Sequence, residues 1–273
     1  MKRRLGGMLL RTATWAAAAI TFGALLFLVG HILAKGIPHI TPSLFAAEYT
    51  TQNVSLLPAL VTTAQMVVLS LLTAVPLGLF TAIYLTEYAK RGNRLVGLIR
   101  IAAETLSGIP SIVYGLFGML FFNGWMRLGY SLLSGTLTLS VMILPLIMRT
   151  AEESLKAIPD AYREGSFGLG AGRLRTVFTI VLPAAAPGIL AGVILAVGRI
   201  VGETAALIYT SGTVPQIPTG LLSSGRTLAV HMYALSKEGL YTGQAYATAS
   251  VLLALVLGIN SLSAMLAKKI AKE

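Results

Sequence analysis

Residues 160–183 read Asp-Ala-Tyr-Arg-Glu-Gly-Ser-Phe-Gly-Leu-Gly-Ala-Gly-Arg-Leu-Arg-Thr-Val-Phe-Thr-Ile-Val-Leu-Pro, a charged and glycine-rich stretch in a largely apolar chain. Its first half predicts a short helix after Pro159, because proline suits an early helical position and the acid that follows is favourable at the positive end of the helix dipole. The glycine run that begins at Gly168 predicts the end of this helix, since glycine turns the backbone without steric cost. A second amphipathic helix is expected from Arg173, and Pro183 is expected to end or kink it.

The same stretch carries a family signature. Glu164-Gly165-Ser166 is followed after three residues by Gly170 and after nine more by Ile180-Val181-Leu182-Pro183. This spacing resembles the EAA motif of bacterial ABC importer permeases (Glu-Ala-Ala, three residues, Gly, nine residues, Ile-x-Leu-Pro), although Gly-Ser replaces two alanines. The resemblance implies that the first helix is a cytoplasmic coupling helix that docks on an ATPase subunit; an amphipathic connector between two membrane helices is the alternative. The residues that the resemblance assigns to ATPase coupling are Arg163, Glu164, Gly165, Ser166 and Gly170.

The composition excludes several function classes. The chain of 273 residues is 55% hydrophobic and only 11% charged, whereas charged residues make up about a quarter of a soluble domain. Cysteine is absent, which excludes disulfide scaffolds and thiolate metal sites, and the three histidines form no His-Glu-x-x-His metal motif. The net charge of +11 comes from basic residues at the ends of apolar segments, a pattern of membrane topology rather than of nucleic-acid binding.

Six apolar spans are expected to cross a membrane, because each has about 20 residues or more, enough for roughly 30 Å of hydrocarbon. They cover residues 13–34, 57–86, 101–123, 131–149, 180–208 and 245–267. The first is expected to be a retained membrane helix, since it is longer than the apolar region of a typical secretory signal. We therefore expect an all-α membrane protein with six transmembrane helices, a single domain over residues 1–273 with its core at about 57–267.

Charge orients these spans. Basic clusters precede the first span, separate the second from the third and the fourth from the fifth, and follow the sixth. By the positive-inside rule, both termini and residues 150–179 are expected in the cytoplasm. The long outer loop at about 209–244 is expected to contain an extended segment, 213–218, and a short interfacial helix, 227–236.

Arg199 and Glu203 form the one pair of charges deep in an expected membrane helix. Four residues apart, they are expected to share a helix face. Because a charge at mid-bilayer costs about 2.5 to 3.5 kcal/mol on insertion scales, each should face a partner or a water-filled path. The structural interpretation is a salt bridge within the helix or to another subunit. The functional interpretation is an anion contact, since guanidinium offers forked donors to phosphate-like oxygens.

Three further segments sharpen the resemblance. Residues 104–115, 198–205 and 226–233 are similar to segments of the permeases of the bacterial phosphate importer, and the last is closer to the PstA type than to the longer PstC type. The resemblance implies a type I ABC importer permease of six helices in the bacterial cytoplasmic membrane. It also implies the partners: a PstC-type permease, a PstB-type ATPase dimer and a periplasmic PstS-type phosphate-binding protein. In that family the residues matching Arg199 and Glu203 are associated with phosphate passage.

Two serines extend the expected substrate pathway. Ser107 and Ser111 flank a segment with Pro110, where a broken backbone would line a cavity and a simple proline kink is the alternative. Glu104 is expected to be an acid at the N-terminal end of a span, favoured there by the helix dipole.

An enzymatic function is not expected. No lysine is followed by Ser or Thr, so the phosphate-binding Gly-Lys-Ser/Thr ending of an ATPase is absent, and ATP with its Mg²⁺ is expected on a partner ATPase. No catalytic residue, cofactor or metal site is expected in the chain. The open alternatives are a permease for sulfate or molybdate and, in another class, a small membrane enzyme or passive channel.

Overall fold

A computed structural model describes residues 2–90 and 92–270, and the chain is helical over most of this length. The α-helices of the described residues are α1 (Lys2–Gly36), α2 (Leu57–Ile83), α3 (Arg94–Ser107), α4 (Ser111–Gly118), α5 (Leu132–Lys156), α6 (Asp160–Gly168), α7 (Arg173–Thr176), α8 (Leu182–Val201), α9 (Ala205–Thr210), α10 (Leu228–Glu238) and α11 (Thr242–Ile270). π-helical turns continue α2 and α4 and join α7 to α8; they cover Tyr84–Tyr88, Met119–Trp125 and Val177–Val181. Two residues of the basic clusters that predict the topology, Arg91 and Lys272, lie outside the described residues.

Most of the expected membrane spans are single helices. Within the described residues, five helices are long and apolar enough to cross a membrane, and the bent pair α3–α4 adds a sixth crossing if it is one span. The expected spans 13–34, 57–86 and 245–267 lie within α1, α2 with its π turn, and α11, and the span 131–149 lies in α5 with its N-cap Ser131. The prediction of an all-α protein with this set of apolar spans is therefore confirmed.

The span expected at 101–123 is wrong as a single helix. α3 ends at Ser107, α4 begins at Ser111, and their axes differ by 102°. Pro110 explains the break, because proline lacks an amide proton and disfavours a helical conformation in the residue before it. The broken-backbone interpretation of this segment describes it better than a simple kink.

The span expected at 180–208 is displaced. One continuous helix runs from Arg173 to Val201, and the chain then breaks before the short α9. Of the two alternatives predicted for Pro183, an end or a kink of the helix, the end is wrong, because the π turn Val177–Val181 directly precedes α8 and accommodates the missing amide proton near the start of that helix.

α5 lies at the centre of the helical body. Its buried Leu139 and Ile143 belong to one apolar core with Met66 of α2. Small residues bring neighbouring helices close: a Cβ at Gly192 of α8 would collide with Thr150 of α5. Such contacts are typical of helices that pack within a membrane. Other large apolar side chains, such as Trp15, Phe22 and Phe27 of α1, are exposed, as expected of a surface in contact with lipid.

The short helix expected at 227–236 is α10, and a buried cluster holds it in the long loop between α9 and α11. His231 of α10 is fully buried, and its ring meets Tyr49 edge-on with 6.1 Å between centroids. Arg226 is 5% exposed, and its guanidinium lies over the Tyr49 ring, 4.7 Å from the ring centroid. Burial and the nearby charge of Arg226 lower the pKa of His231 to about 3, so this side chain is neutral in the folded protein near neutral pH.

Candidate functional site

The short charged helix α6 has the expected bounds, Asp160–Gly168. Gly170 follows it with a φ of 84°. The amide of Gly170 donates to the carbonyl of Phe167 at 2.9 Å, and that of Ala171 donates to the carbonyl of Ser166 at 3.1 Å. This pair of bonds is a Schellman cap, which requires a left-handed residue at the position of the glycine. The signature glycine therefore has a local structural reason.

Arg163 of α6 points into the protein, and its side chain is 14% exposed. Nη2 donates to Glu87 at 2.7 Å and to the carbonyl of Leu155 at 2.9 Å. Nη1 donates to the carbonyl of Ile158 at 2.8 Å and to Asp160 at 3.3 Å. The hydrogen bonds to Glu87 raise the pKa of the guanidinium and outweigh its desolvation. Arg163 therefore joins α6 to the ends of α2 and α5.

The other residues of the signature differ in whether they face the protein interior or the outside. Ser166 is 5% exposed, and its Oγ lies 2.8 Å from Oγ1 of Thr176 in α7. Glu164 and Gly165 are exposed. No atom lies within 4 Å of a Cβ built at Gly165, so the alanine of the family motif would fit there. Arg163 and Ser166 thus bind within the chain, whereas Glu164 and Gly165 face outward.

A cavity of about 550 Å³ lies between α3, α5 and α8, and we call it the Arg199 cavity. Arg199 is half-buried in its wall. No residue in the described part of the chain gives Arg199 an ion-pair or hydrogen-bond acceptor. The charged residues of the lining are Arg100, Glu104, Arg149, Glu152, Glu153, Lys156 and Arg199. The guanidinium of Arg199 is therefore free to bind an anion in this cavity.

Glu203 lies elsewhere than expected. α8 ends at Val201, so Glu203 falls in the break between α8 and α9, and the expectation that it shares a helix face with Arg199 is wrong. Its carboxylate accepts a hydrogen bond from the amide of Ala206 at 3.0 Å, and the residue is 8% exposed. At this end the amide of Gly202 donates to the carbonyl of Gly198 at 3.2 Å and that of Glu203 to the carbonyl of Ile200 at 3.1 Å, so the last turn tightens before the chain leaves the helix. Glu203 therefore caps the first turn of α9, and no ion pair joins it to Arg199 within the described chain.

The pathway serines also separate. Ser107 is the last residue of α3 and lines the Arg199 cavity, and its hydroxyl donates to the carbonyl of Glu104 at 2.8 Å. Ser111 begins α4 and is not part of that lining. Glu104 lies in the last turn of α3 rather than at the start of a span, so the expectation of an N-terminal acid is wrong. Its side chain lines the cavity with Arg199.

A second cavity, of about 770 Å³, lies beside α6, and we call it the α6 cavity. Its described lining includes five basic residues, Lys90, Arg100, Lys156, Arg163 and Arg173, and two acidic residues, Glu87 and Asp160. Arg100 and Lys156 line both cavities. Both bind Oε1 of Glu152, each at 2.6 Å. We call Arg100, Glu152 and Lys156 the Glu152 cluster.

In the sequence, Arg100 and Lys156 indicate only topology, as members of the basic clusters between the expected spans. A local signal exists for one pair, because Glu152 and Lys156 are four residues apart on α5, a spacing that favours an ion pair. Arg100 and Glu152 are 52 residues apart, and Arg163 and Glu87 are 76 apart. These two contacts depend on helix packing, which no short sequence pattern specifies.

The sequence of this chain matches a known family and is similar to known permeases. The family described as "Binding-protein-dependent transport system inner membrane component" matches residues 74–272. The chain is 32% identical over 263 residues to the probable ABC transporter permease protein YqgI of Bacillus subtilis (strain 168), which covers 88% of this chain and 86% of that protein. It is 34% identical over 213 residues to the phosphate transport system permease protein PstA 2 of Mycobacterium bovis, with 77% and 70% covered.

The fold also has a solved counterpart. The structure of a bacterial alginate ABC transporter, in complex with its periplasmic protein bound to an alginate pentasaccharide, contains a chain similar to this one with a TM-score of 0.63. The similarity covers 97% of this chain and 95% of that chain, at 17% sequence identity. At this identity the likeness concerns the fold alone.

Proposed function

We propose that this chain, which belongs to the family of inner membrane components of binding-protein-dependent transport systems, is one transmembrane subunit of an ATP-driven importer of inorganic phosphate. The family and the apolar helices make it a multi-pass protein of the inner membrane. The similarity to a phosphate transport system permease supports phosphate as the cargo. Within the chain, the proposal depends on one observation, the unpaired Arg199 in the wall of a cavity.

An anion is the ligand that the surroundings of Arg199 favour. The half-buried guanidinium of Arg199 opens on the cavity and has no acceptor among the described residues, so its donors are available to a ligand. A tetrahedral oxyanion would supply forked acceptors, and Ser107 lines the same cavity as a polar neighbour. The acidic residues of the lining weaken the attraction, which suits a conduit that must release its cargo. Arg199 and Ser107 thus belong to the proposed substrate pathway. Glu203 and Ser111 act, in this proposal, by shaping the helix breaks beside it.

α6 is the proposed coupling helix. Its outward side, with Glu164 and Gly165, is exposed and free for an ATPase surface. Its inward side is joined to α2 and α5 through Arg163. A displacement of α6 would therefore move two membrane helices with it. ATP and Mg²⁺ would bind to the ATPase partner, and this chain would have no ATPase site of its own.

The proposed complex contains a PstC-type permease, two PstB-type ATPases and a periplasmic PstS-type receptor. With α6 facing the ATPases, both termini and the α6 cavity lie on the cytoplasmic side. This orientation of the chain in the membrane agrees with the clusters of basic residues on that side of the expected spans.

Uptake by the purified complex in liposomes tests the proposal. ATP-dependent accumulation of labelled phosphate is expected, with no competition from a tenfold excess of sulfate or molybdate. Competition by sulfate or molybdate would assign another oxyanion as the cargo. Phosphate flux by this chain without any ATPase would instead make it a channel and contradict the proposal.

A further inference from the structure

The Glu152 cluster lies on the boundary between the two cavities. Its two basic residues line both the Arg199 cavity and the α6 cavity. Arg199 shares the first cavity with Pro145, near the middle of α5, whereas Lys156 is the last residue of that helix. The Arg199 cavity therefore extends from mid-helix to the end of α5, and the cluster lies where it meets the second cavity.

The cluster has more positive charge than its acid balances. Both Nε and Nη2 of Arg100 contact Oε1 of Glu152, at 2.9 and 2.6 Å, and Lys156 contacts the same oxygen at 2.6 Å. The Glu152 side chain is 8% exposed, whereas Arg100 and Lys156 are 42% and 50% exposed. Two accessible cations thus share one buried carboxylate, and each has donors directed elsewhere.

The α6 cavity continues the positive surface. Lys90 is exposed, and no described residue forms an ion pair with it. Arg173 lies over the Tyr88 ring at 5.8 Å, and Arg163 is already bound to Glu87. An anion that reaches the Glu152 cluster therefore meets further cations on the side of α6, and a gradient of accessible positive charge leads out of the Arg199 cavity.

We propose that the Glu152 cluster is a release site, at which an oxyanion of phosphate size leaves the Arg199 cavity by exchanging with Glu152 for Arg100 and Lys156. This inference rests on the proposed function. Glu152 limits the affinity of the site, because its carboxylate competes with the anion for the same donors. The two basic residues keep a polar path open from mid-helix to the α6 cavity.

The test uses the complete complex in phosphatidylcholine liposomes and in detergent, with labelled phosphate. For Glu152→Gln, ATP-driven uptake is expected to slow roughly three- to fivefold, and bound phosphate should dissociate more slowly by a similar factor, as for the loss of one ion pair whose cations are partly exposed. Arg100→Gln is expected to slow uptake while phosphate dissociates faster. Glu238→Gln, at the end of α10 and outside both cavities, is the control and should change neither rate.

A double variant separates charge balance from structural support. Glu152→Gln combined with Lys156→Gln restores the original net charge of the cluster, so uptake and dissociation are expected to return toward the wild-type rates. A double variant that keeps the slow dissociation of Glu152→Gln would show that charge balance does not set the release rate, which overturns the proposal.

Three other outcomes would also overturn it. Slow dissociation that appears only with phosphatidylglycerol in the liposomes would assign the cluster to a lipid headgroup. Wild-type uptake together with unchanged rates in Glu152→Gln would reject the release site alone. Absence of phosphate uptake by the wild-type complex would reject the proposed function and this inference with it.

Discussion

The α6 region and the Arg199 cavity each contain a partly buried arginine, and the two side chains have opposite surroundings. Arg163 donates to Glu87, to Asp160 and to two backbone carbonyls of the chain. Arg199 has no acceptor among the described residues. An arginine whose donors are all satisfied internally connects parts of the structure, whereas one without an acceptor is available to a ligand. The comparison predicts loss of stability from changes at Arg163 and loss of transport from changes at Arg199.

The largest effect is expected at Arg163. Arg163→Ala removes one member of a buried pair and leaves Glu87 uncompensated, which should lower the free energy of unfolding by about 3–5 kcal/mol. ATP hydrolysis by the complex should also become independent of transport, because α6 loses its connection to α2 and α5. Chemical denaturation in detergent and parallel assays of hydrolysis and uptake measure both effects. Arg94→Ala, at an exposed position of α3, is the matched control. Normal stability in Arg163→Ala would contradict the role of Arg163 in connecting α6 to α2 and α5.

Arg199→Ala should show the reverse pattern. We expect phosphate uptake to fall about 100-fold, equivalent to roughly 2.7 kcal/mol, because the substrate loses a forked charged contact. The free energy of unfolding should change by less than about 0.5 kcal/mol, since no internal partner is left unpaired. Initial uptake rates and denaturation midpoints provide the measurements. A large loss of stability with normal uptake per folded complex would make Arg199 structural.

Gly170 tests whether the orientation of α6 depends on its C-cap. Gly170→Val places a β-branched residue at a φ of 84°, which should cost about 2 kcal/mol and disturb the coupling of hydrolysis to uptake. Gly165→Ala, in the same helix, should be neutral in both assays because a Cβ has open space there. Equal behaviour of the two variants would show that the cap does not position α6.

The smallest effect concerns a region remote from both arginines. The pKa of His231 is lowered to about 3 in the folded protein, whereas it is about 6.5 in an unfolded chain. Stability should therefore be complete above pH 6.5 and fall by up to about 1.4 kcal/mol per pH unit as the pH decreases toward 3, because only the unfolded state gains the proton. Denaturation at pH 7 and 5.5 measures the slope, which His231→Gln should reduce. An unchanged slope would contradict the assignment.

Local chemistry made the α6 region predictable. The acid after Pro159 and the glycine run give the helix its ends, and Gly170 has the left-handed conformation that a helix cap needs.

The Arg199 region was less predictable. The pattern showed that Pro110 interrupts a span, but the 102° angle follows from packing. The separation of Arg199 from Glu203 depends on a helix end at Val201, which an apolar run does not reveal. The inward direction of Arg163 required Glu87, which lies far away in sequence.

The two connections from α6 to the membrane helices differ in kind. Toward α7–α8, the chain passes through a π turn just before Pro183, and helices commonly bend at such turns. Toward α5, Arg163 donates hydrogen bonds directly to the carbonyls of Leu155 and Ile158. In the proposed importer, a displacement of α6 would therefore reach the end of α5 through direct contacts, whereas it would reach α8 through a segment of the backbone that can bend.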